Sequence, residues 1–266
     1  MTIHDILKMK KEGKKIAVLT AYDFPFARIL DEAGVDIIMV GDSLGNAVLG
    51  YPHTLPVTME EMLHHAKAVG RAVKNALLVG DMPFGSYQES VDQCIKNAVR
   101  FVKEAGVQAV KLEGGTLMAE RARALVEIGI PVMGHVGLTP QSVHRMGGYK
   151  VQGKDRKGAA RILKDAQALE EAGAFSVVLE GIPLSLAKTI TARLSIPTIG
   201  IGAGPHCDGQ VLVMHDLLGL SGDFKPRFAR CYARLGESAF RAVQEFTRDV
   251  REGKFPSPGE SYGKED

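Results

Sequence analysis

The stretch Glu32–Val40, EAGVDIIMV, runs from the last turn of a helix-like segment into a continuous apolar run. The same join returns as EAGVQAVKL (104–112), EIGIPVMGH (127–135) and EAGAFSVVL (171–179). In each, a glycine stands where a helix would close in a left-handed turn. The apolar residues that follow are β-branched or leucine-rich and do not alternate with polar ones. A strand covered on both faces reads this way, whereas a strand with one wet face alternates.

Working outward, apolar runs occupy Ile16–Tyr22, Asp36–Asp42, Ala76–Met82, Ala109–Gly114, Pro131–Val136, Ser176–Gly181, Pro197–Ala203 and, more weakly, Val211–Asp216. Helical segments lie between them. Thr58–Lys74 opens with Thr58 as N-cap and Glu61 as its capping-box partner. Ser90–Ala105 carries Val91, Ile95, Ala98 and Val102 at helical spacing and stops at Gly106, and Gly158–Ala172 stops at Gly173. Eight strands alternating with helices make a parallel α/β protein, and the count and length favour one closed (β/α)8 TIM-type barrel over residues 1–266. A doubly wound open sheet is the competitor, but no GxGxxG follows the first strand.

Composition narrows the class. At 266 residues, with 45% hydrophobic and 24% charged residues, the chain can bury a full core. A net charge of +2, with basic residues scattered among acids, gives no footprint for nucleic acid. No apolar run approaches a membrane span, and no signal peptide is read in MTIHDILKMKKEGKK. Cys94, Cys207 and Cys231 show no CxxC spacing and suit a reducing compartment, so a cytoplasmic location is expected. Gly137–Lys157, glycine-rich and polar, is an insertion after strand five and a candidate lid. The tail from about 254 to 266 is expected to be mobile.

In a parallel barrel the C-terminal ends of the strands share one face, which carries the chemistry. Strands two to six end on Asp42-Ser43, Asp81, Lys111 with Glu113, His135 and Glu180. One such acid alone reads equally as a helix cap. Four carboxylates around one mouth repel each other, and a cation relieves that cost. Oxygen donors without a Cys/His cluster point to a hard divalent ion such as Mg²⁺. Asp42 and Asp81, in matching VGD contexts, are the expected metal ligands, with Glu113 binding directly or through a water. Lys111 shares a strand face with Glu113 and suits a substrate carboxylate. Glu180, apart from the metal pair, is the candidate base, and His135 is either an acid/base group or a substrate donor. Such a set suits removal of a proton next to the carbonyl of a 2-oxo acid.

Other features carry less. His64-His65 read as a helix face, and His215-Asp216 as packing at the end of strand eight. Gly200–Gly204, GIGAG, fits either phosphate binding or close backbone approach to a ligand.

The blocks VGDSLG (40–45), TLPVT (54–58), GHVGLTPQS (134–142), GGYKVQG (147–153), PTIGIGAG (197–204) and DGQVLVMHDLLG (208–219) resemble the ketopantoate (3-methyl-2-oxobutanoate) hydroxymethyltransferase family, from about Thr20 to Pro226. The resemblance implies transfer of a hydroxymethyl group from 5,10-methylenetetrahydrofolate to 3-methyl-2-oxobutanoate, a step towards pantothenate and coenzyme A. It implies Mg²⁺ on Asp42 and Asp81 with Glu113 completing its surroundings. It implies substrate contacts from Asp42, Ser43, Asp81 and Lys111, with His135 lining the cavity, and Glu180 as the base. It also implies a homo-oligomer, commonly a decamer. Pro52-His53 departs from the Asp-Ser usual in the family before TLPVT. The alternative is a related Mg²⁺-dependent 2-oxo-acid lyase or mutase of the phosphonopyruvate/isocitrate lyase type; that group carries a KKCG-type cysteine motif, which this chain lacks. A non-enzymatic barrel would require a degraded site, and none of these positions is degraded.

Overall fold

A computed structural model describes residues 1–222 and 226–263. Eight parallel strands close into a barrel in sequence order: β1 Ile16–Thr20, β2 Ile37–Val40, β3 Leu77–Asp81, β4 Ala109–Glu113, β5 Val132–Gly137, β6 Ser176–Glu180, β7 Thr198–Ile201 and β8 Gly209–Leu212, with β8 paired to β1. The expected (β/α)8 architecture is therefore present. The four glycines of the repeated join, Gly34, Gly106, Gly129 and Gly173, all have positive φ, between 69° and 91°. They turn the chain out of a helix in a conformation that a Cβ would strain. The Thr58/Glu61 capping box forms as expected, with Thr58 N–H donating to Glu61 Oε2 at 2.8 Å and Glu61 N–H to Thr58 Oγ1 at 3.2 Å.

The barrel interior is filled by one residue in two from each strand, among them Val18, Met39, Val79, Ala109, Met133, Val178, Ile199 and Val211. The helix Ile3–Lys11 inserts Ile6 into the same cluster and closes the end where the strands begin. Lys10 Nζ donates to Asp208 Oδ2 at 2.8 Å there, and the same oxygen accepts the Thr198 N–H at 2.8 Å. Asp208, the first acid of the DGQVLVMHDLLG block, is thus a structural clasp at the end opposite the strand C-termini.

Two elements differ from the sequence expectation. No helix separates β7 from β8. β8 also begins at Gly209 rather than Val211, and His215 and Asp216 lie in the helix Met214–Leu218, not on a strand. Glycine and glutamine are poor strand formers, which hides the start of β8. The glycine is nonetheless required: a Cβ at Gly209 would stand 2.5 Å from the Ile16 carbonyl oxygen of β1.

The chain divides into two compact units, Met1–Met214, which contains the barrel, and His215–Asp266. The second unit includes the helix Leu235–Arg251 and a short turn at Pro258–Glu260. Of the tail expected to be mobile, residues 264–266 lie outside the described residues. Phe255 packs edge-on against Phe246, ring centroids 5.4 Å apart. No helix among the described residues is long and apolar enough to cross a membrane.

Candidate active site

Strand register sets which side chains meet at the C-terminal mouth of the barrel. Asp81 on β3 is level with Lys111 on β4, and Glu113 on β4 is level with His135 on β5. Period two along β4 turns Lys111 and Glu113 inward with Ala109. All of these side chains are buried, and Asp42, two residues past β2, joins them.

Lys111 Nζ donates to both Asp81 oxygens at 2.7 Å. Burial alone would discharge the lysine. The carboxylates of Asp81, Glu113 and Asp42 outweigh that effect and push its pKa up. Glu113 also starts from a burial penalty, but His135, Lys111 and the Gln141 N–H at 3.0 Å hold its carboxyl below the usual range. His135 sits between two acids, Nδ1 3.4 Å from Glu113 and Nε2 3.2 Å from Glu180. Burial works against the imidazolium, yet the carboxylates raise its pKa to about 9. These are ion-pair distances without the alignment of good hydrogen bonds.

Asp42 is the exception. Burial first, then repulsion from Asp81 and Glu113, pushes its pKa well above the carboxylate range. Its own N–H donates to Asp81 Oδ2 at 3.3 Å, and its Oδ2 accepts from Gln141 Nε2 at 3.0 Å. Among the described residues no three His, Cys, Asp or Glu side chains converge as a ready metal cage. The mouth instead holds a buried carboxyl whose charge the protein does not balance, in an all-oxygen donor set. That combination fits a hard divalent cation.

Ser43 follows Asp42, and its Oγ lies 2.8 Å from the Tyr22 hydroxyl. A Cβ on Gly41 would stand 2.7 Å from Ser43 Oγ, so this glycine exists to seat the serine. His65 Nδ1 lies 2.6 Å from the Tyr22 carbonyl oxygen, which makes His65 part of a packed helix face. His53, at the departure before TLPVT, packs edge-on against His144 of the segment after β5, at 5.8 Å between centroids. Cys94 and Cys207 are buried free thiols away from this mouth, and Cys231 is an exposed one.

Two residues escaped the sequence reading. Gln141, in the segment after β5, is buried and bonds at once to Asp42, to the Met82 carbonyl (2.9 Å) and, through its backbone, to Glu113. Tyr87, in the loop after β3, donates to Gln141 Oε1 at 2.7 Å and accepts the Glu113 N–H at 3.0 Å. The one available signal was the position of Gln141 inside the block GHVGLTPQS.

A family model described as ketopantoate hydroxymethyltransferase matches residues 1–258. This chain belongs to that family. Among its relatives, the 3-methyl-2-oxobutanoate hydroxymethyltransferase of Heliobacterium modesticaldum is 56% identical over 266 residues, covering 100% of this chain and 96% of the relative. The enzyme of the same name from Geobacter metallireducens is 58% identical over 261 residues, 98% of each chain. Solved structures of lower identity share the fold. A phosphonopyruvate hydrolase complex with oxalate and Mg²⁺ superposes with a TM-score of 0.64 at 15% identity, covering 98% of this chain and 93% of that one. A 2,3-dimethylmalate lyase of the PEP mutase/isocitrate lyase superfamily gives 0.59 at 16%, covering 97% and 92%. In this ketopantoate hydroxymethyltransferase family member, the blocks VGDSLG and GHVGLTPQS meet through the Gln141–Asp42 bond.

Proposed function

We propose that this protein transfers a one-carbon unit from 5,10-methylenetetrahydrofolate to carbon 3 of 3-methyl-2-oxobutanoate, giving 2-dehydropantoate and tetrahydrofolate. In a chain of this family, the observation that carries the reading is the separation of two groups at one mouth. Asp42, Asp81 and Lys111 form one, and Glu180 with His135 forms the other, with Glu113 between them.

Asp42, Asp81 and Glu113 would hold Mg²⁺ or a similar divalent ion. When bound, that ion supplies Lewis acidity towards the 2-oxo group of the substrate. Lys111 provides positive charge for the substrate carboxylate, and Ser43, steadied by Tyr22, offers it a hydroxyl. Glu180 takes the carbon-3 proton. Its side chain is 15% exposed where those of Asp81 and Glu113 are 3%, so it is the acid a substrate can reach. His135, pinned between Glu113 and Glu180, fixes where that carboxylate points. Water first releases the one-carbon unit from the donor as formaldehyde, leaving tetrahydrofolate. Carbon 3 then adds to the carbonyl carbon of that formaldehyde, and the new oxygen takes a proton to complete the hydroxymethyl group.

The reading includes a cytoplasmic homo-oligomer, decameric by family resemblance. Support for self-association comes from the helix Leu235–Arg251, which buries no residue and exposes Phe240, Val243 and Phe246 by 55–64%. The deciding assay supplies Mg²⁺, methylenetetrahydrofolate and 3-methyl-2-oxobutanoate and looks for 2-dehydropantoate, whose absence overturns the assignment. Glu180→Gln should slow exchange of the carbon-3 proton with D₂O by about 10²–10⁴-fold. Exchange at the wild-type rate would remove Glu180 from the role of base.

A further inference from the structure

Residues 82–88 follow β3, and Asn97 of the helix Val91–Ala105 pins them by donating from Nδ2 to the Ser86 carbonyl at 2.6 Å. From this loop a chain of hydrogen bonds runs to Asp42. Two backbone N–H groups, which can only donate, fix its direction. The Gly85 N–H reaches Gln88 Oε1 at 2.8 Å, so Gln88 points its nitrogen the other way, and Nε2 donates to Gln141 Oε1 at 3.1 Å. The Glu113 N–H donates to the Tyr87 hydroxyl oxygen at 3.0 Å. The hydroxyl proton goes to Gln141 Oε1 at 2.7 Å, in preference to the Glu113 carbonyl at 3.3 Å. With its oxygen taken twice, the Gln141 amide has one orientation left. Nε2 faces Asp42 Oδ2 at 3.0 Å and the Met82 carbonyl at 2.9 Å. Tyr87 and Gln141 are buried, so a lost link is not replaced by bulk water.

We infer that Tyr87 and Gln88 are positioning residues for the metal site: through Gln141 they hold an N–H on Asp42 Oδ2 and leave Oδ1 as the oxygen offered to the cation. The inference rests on the reading of Asp42 as a metal ligand given above. Among the described residues no donor reaches Asp42 Oδ1. Turned over, the Gln141 amide would set its oxygen against a carboxylate and a carbonyl, and its nitrogen against two donors. Tyr87 and Gln88 exclude that arrangement, although neither side chain bonds a carboxylate of the mouth itself. Because every donor in the chain is polarised by the one before it, the last link, to Asp42, is strengthened. A loop with no metal ligand of its own thus sets how a ligand on the neighbouring strand end is presented.

The test titrates Mn²⁺ alone, read by the electron paramagnetic resonance signal of the free ion, into the wild-type protein, Tyr87→Phe and Gln88→Glu. Tyr87→Phe keeps the ring and removes one donor to Gln141. Gln88→Glu still accepts from Gly85 but has no hydrogen to pass on. Each should raise the Mn²⁺ Kd by about 10–100-fold. The sign for Gln88→Glu is diagnostic, since a carboxylate acting by charge alone would tighten cation binding. Both substitutions are repeated in a Gln141→Met background, which has no amide to orient. There Gln88→Glu should no longer weaken binding, and the loss from Tyr87→Phe should shrink to that caused by the orphaned Glu113 N–H. A role confined to folding the loop would show equally in both backgrounds. Denaturation midpoints report which variants are folded, and Gln88→Glu, at a half-buried position, carries the test if Tyr87→Phe does not fold. Wild-type affinity in either folded single variant, tighter binding by Gln88→Glu, or equal losses in the two backgrounds overturns the inference and leaves the proposed function standing. A wild-type protein that binds no Mn²⁺ removes Asp42 from the role of metal ligand, and the inference falls with it.

Discussion

Lys111 Nζ stands 2.7 Å from both carboxylate oxygens of Asp81, at the same level on neighbouring buried strands. The pair is not a device for stability, because two charges taken from water regain in attraction roughly what they lose in hydration. Its use is to hold a positive charge ready at the mouth. Removing one partner leaves the other uncompensated. Lys111→Met should therefore destabilise the metal-free protein by about 3–5 kcal/mol. Chemical denaturation in the presence of a chelator measures this. Saturating Mg²⁺ should narrow the gap, since a cation again faces Asp81. An unchanged gap would argue that Asp81 is not a metal ligand.

Gln141 bonds Asp42 by its side-chain nitrogen and Glu113 by its backbone N–H, and its side-chain oxygen Oε1 accepts from the Tyr87 hydroxyl. Gln141→Ala removes the side-chain donor to Asp42 and leaves the Tyr87 hydroxyl with only its longer contact to the Glu113 carbonyl, at 3.3 Å, as an acceptor. Groups that orient metal ligands are worth about 10–100-fold in metal affinity. Titration with Mg²⁺ or Mn²⁺ should show a loss of that order. Gln141→Glu should fare worse, because it adds a carboxylate to a site already short of positive charge.

The barrel and its acids were legible because both follow from local pattern. Continuous apolar runs after Ala-Gly joins mark the strands, and the residues ending them lie at the mouth. Period two on β4 puts Lys111 and Glu113 on one face by spacing alone. Gln141 and Tyr87 were not legible, since they come from irregular chain whose destination is set by tertiary packing. The start of β8 was hidden for a different reason: Gly209 is there because the Ile16 carbonyl comes too close for a side chain. The reason for Gly41 in VGDSLG, room for the Ser43 hydroxyl, depends on a distance no sequence displays.

His135 gives a pH signature. Its pKa in the folded protein is about 9, above the roughly 6.5 of an unfolded histidine. Folding therefore favours the imidazolium. The resulting stability is fully present below about pH 6.5 and is lost as pH rises through about 9. Unfolding free energies of the metal-free protein should fall across that window. In His135→Asn the part of the fall that the imidazolium contributes should be lost, leaving what Asp42, whose carboxyl is also raised, contributes. NMR titration of the wild-type ring should place the midpoint directly.

Gly137 ends β5 with φ +99°, and a Cβ there would lie 2.3 Å from the Glu180 carbonyl oxygen and 2.8 Å from Ile182 Cγ2. Both obstacles belong to the strand end that carries the candidate base, and the Leu138 N–H donates to that same carbonyl at 2.8 Å. Gly137→Ala must either push β6 away or bend β5, since backbone cannot yield as the tip of a flexible side chain does. The backbone conformation alone costs about 1–2 kcal/mol for an L-residue, and the clash adds to it. Activity should suffer beyond the loss of folded protein, because displacement of about 1 Å at a reacting group can cost 10²-fold. The comparison to make is proton exchange per folded molecule in Gly137→Ala against Gly129→Ala. Gly129 also has positive φ, but no atom lies within 4 Å of its would-be Cβ. Equal exchange in the two variants would mean that β5 does not position Glu180.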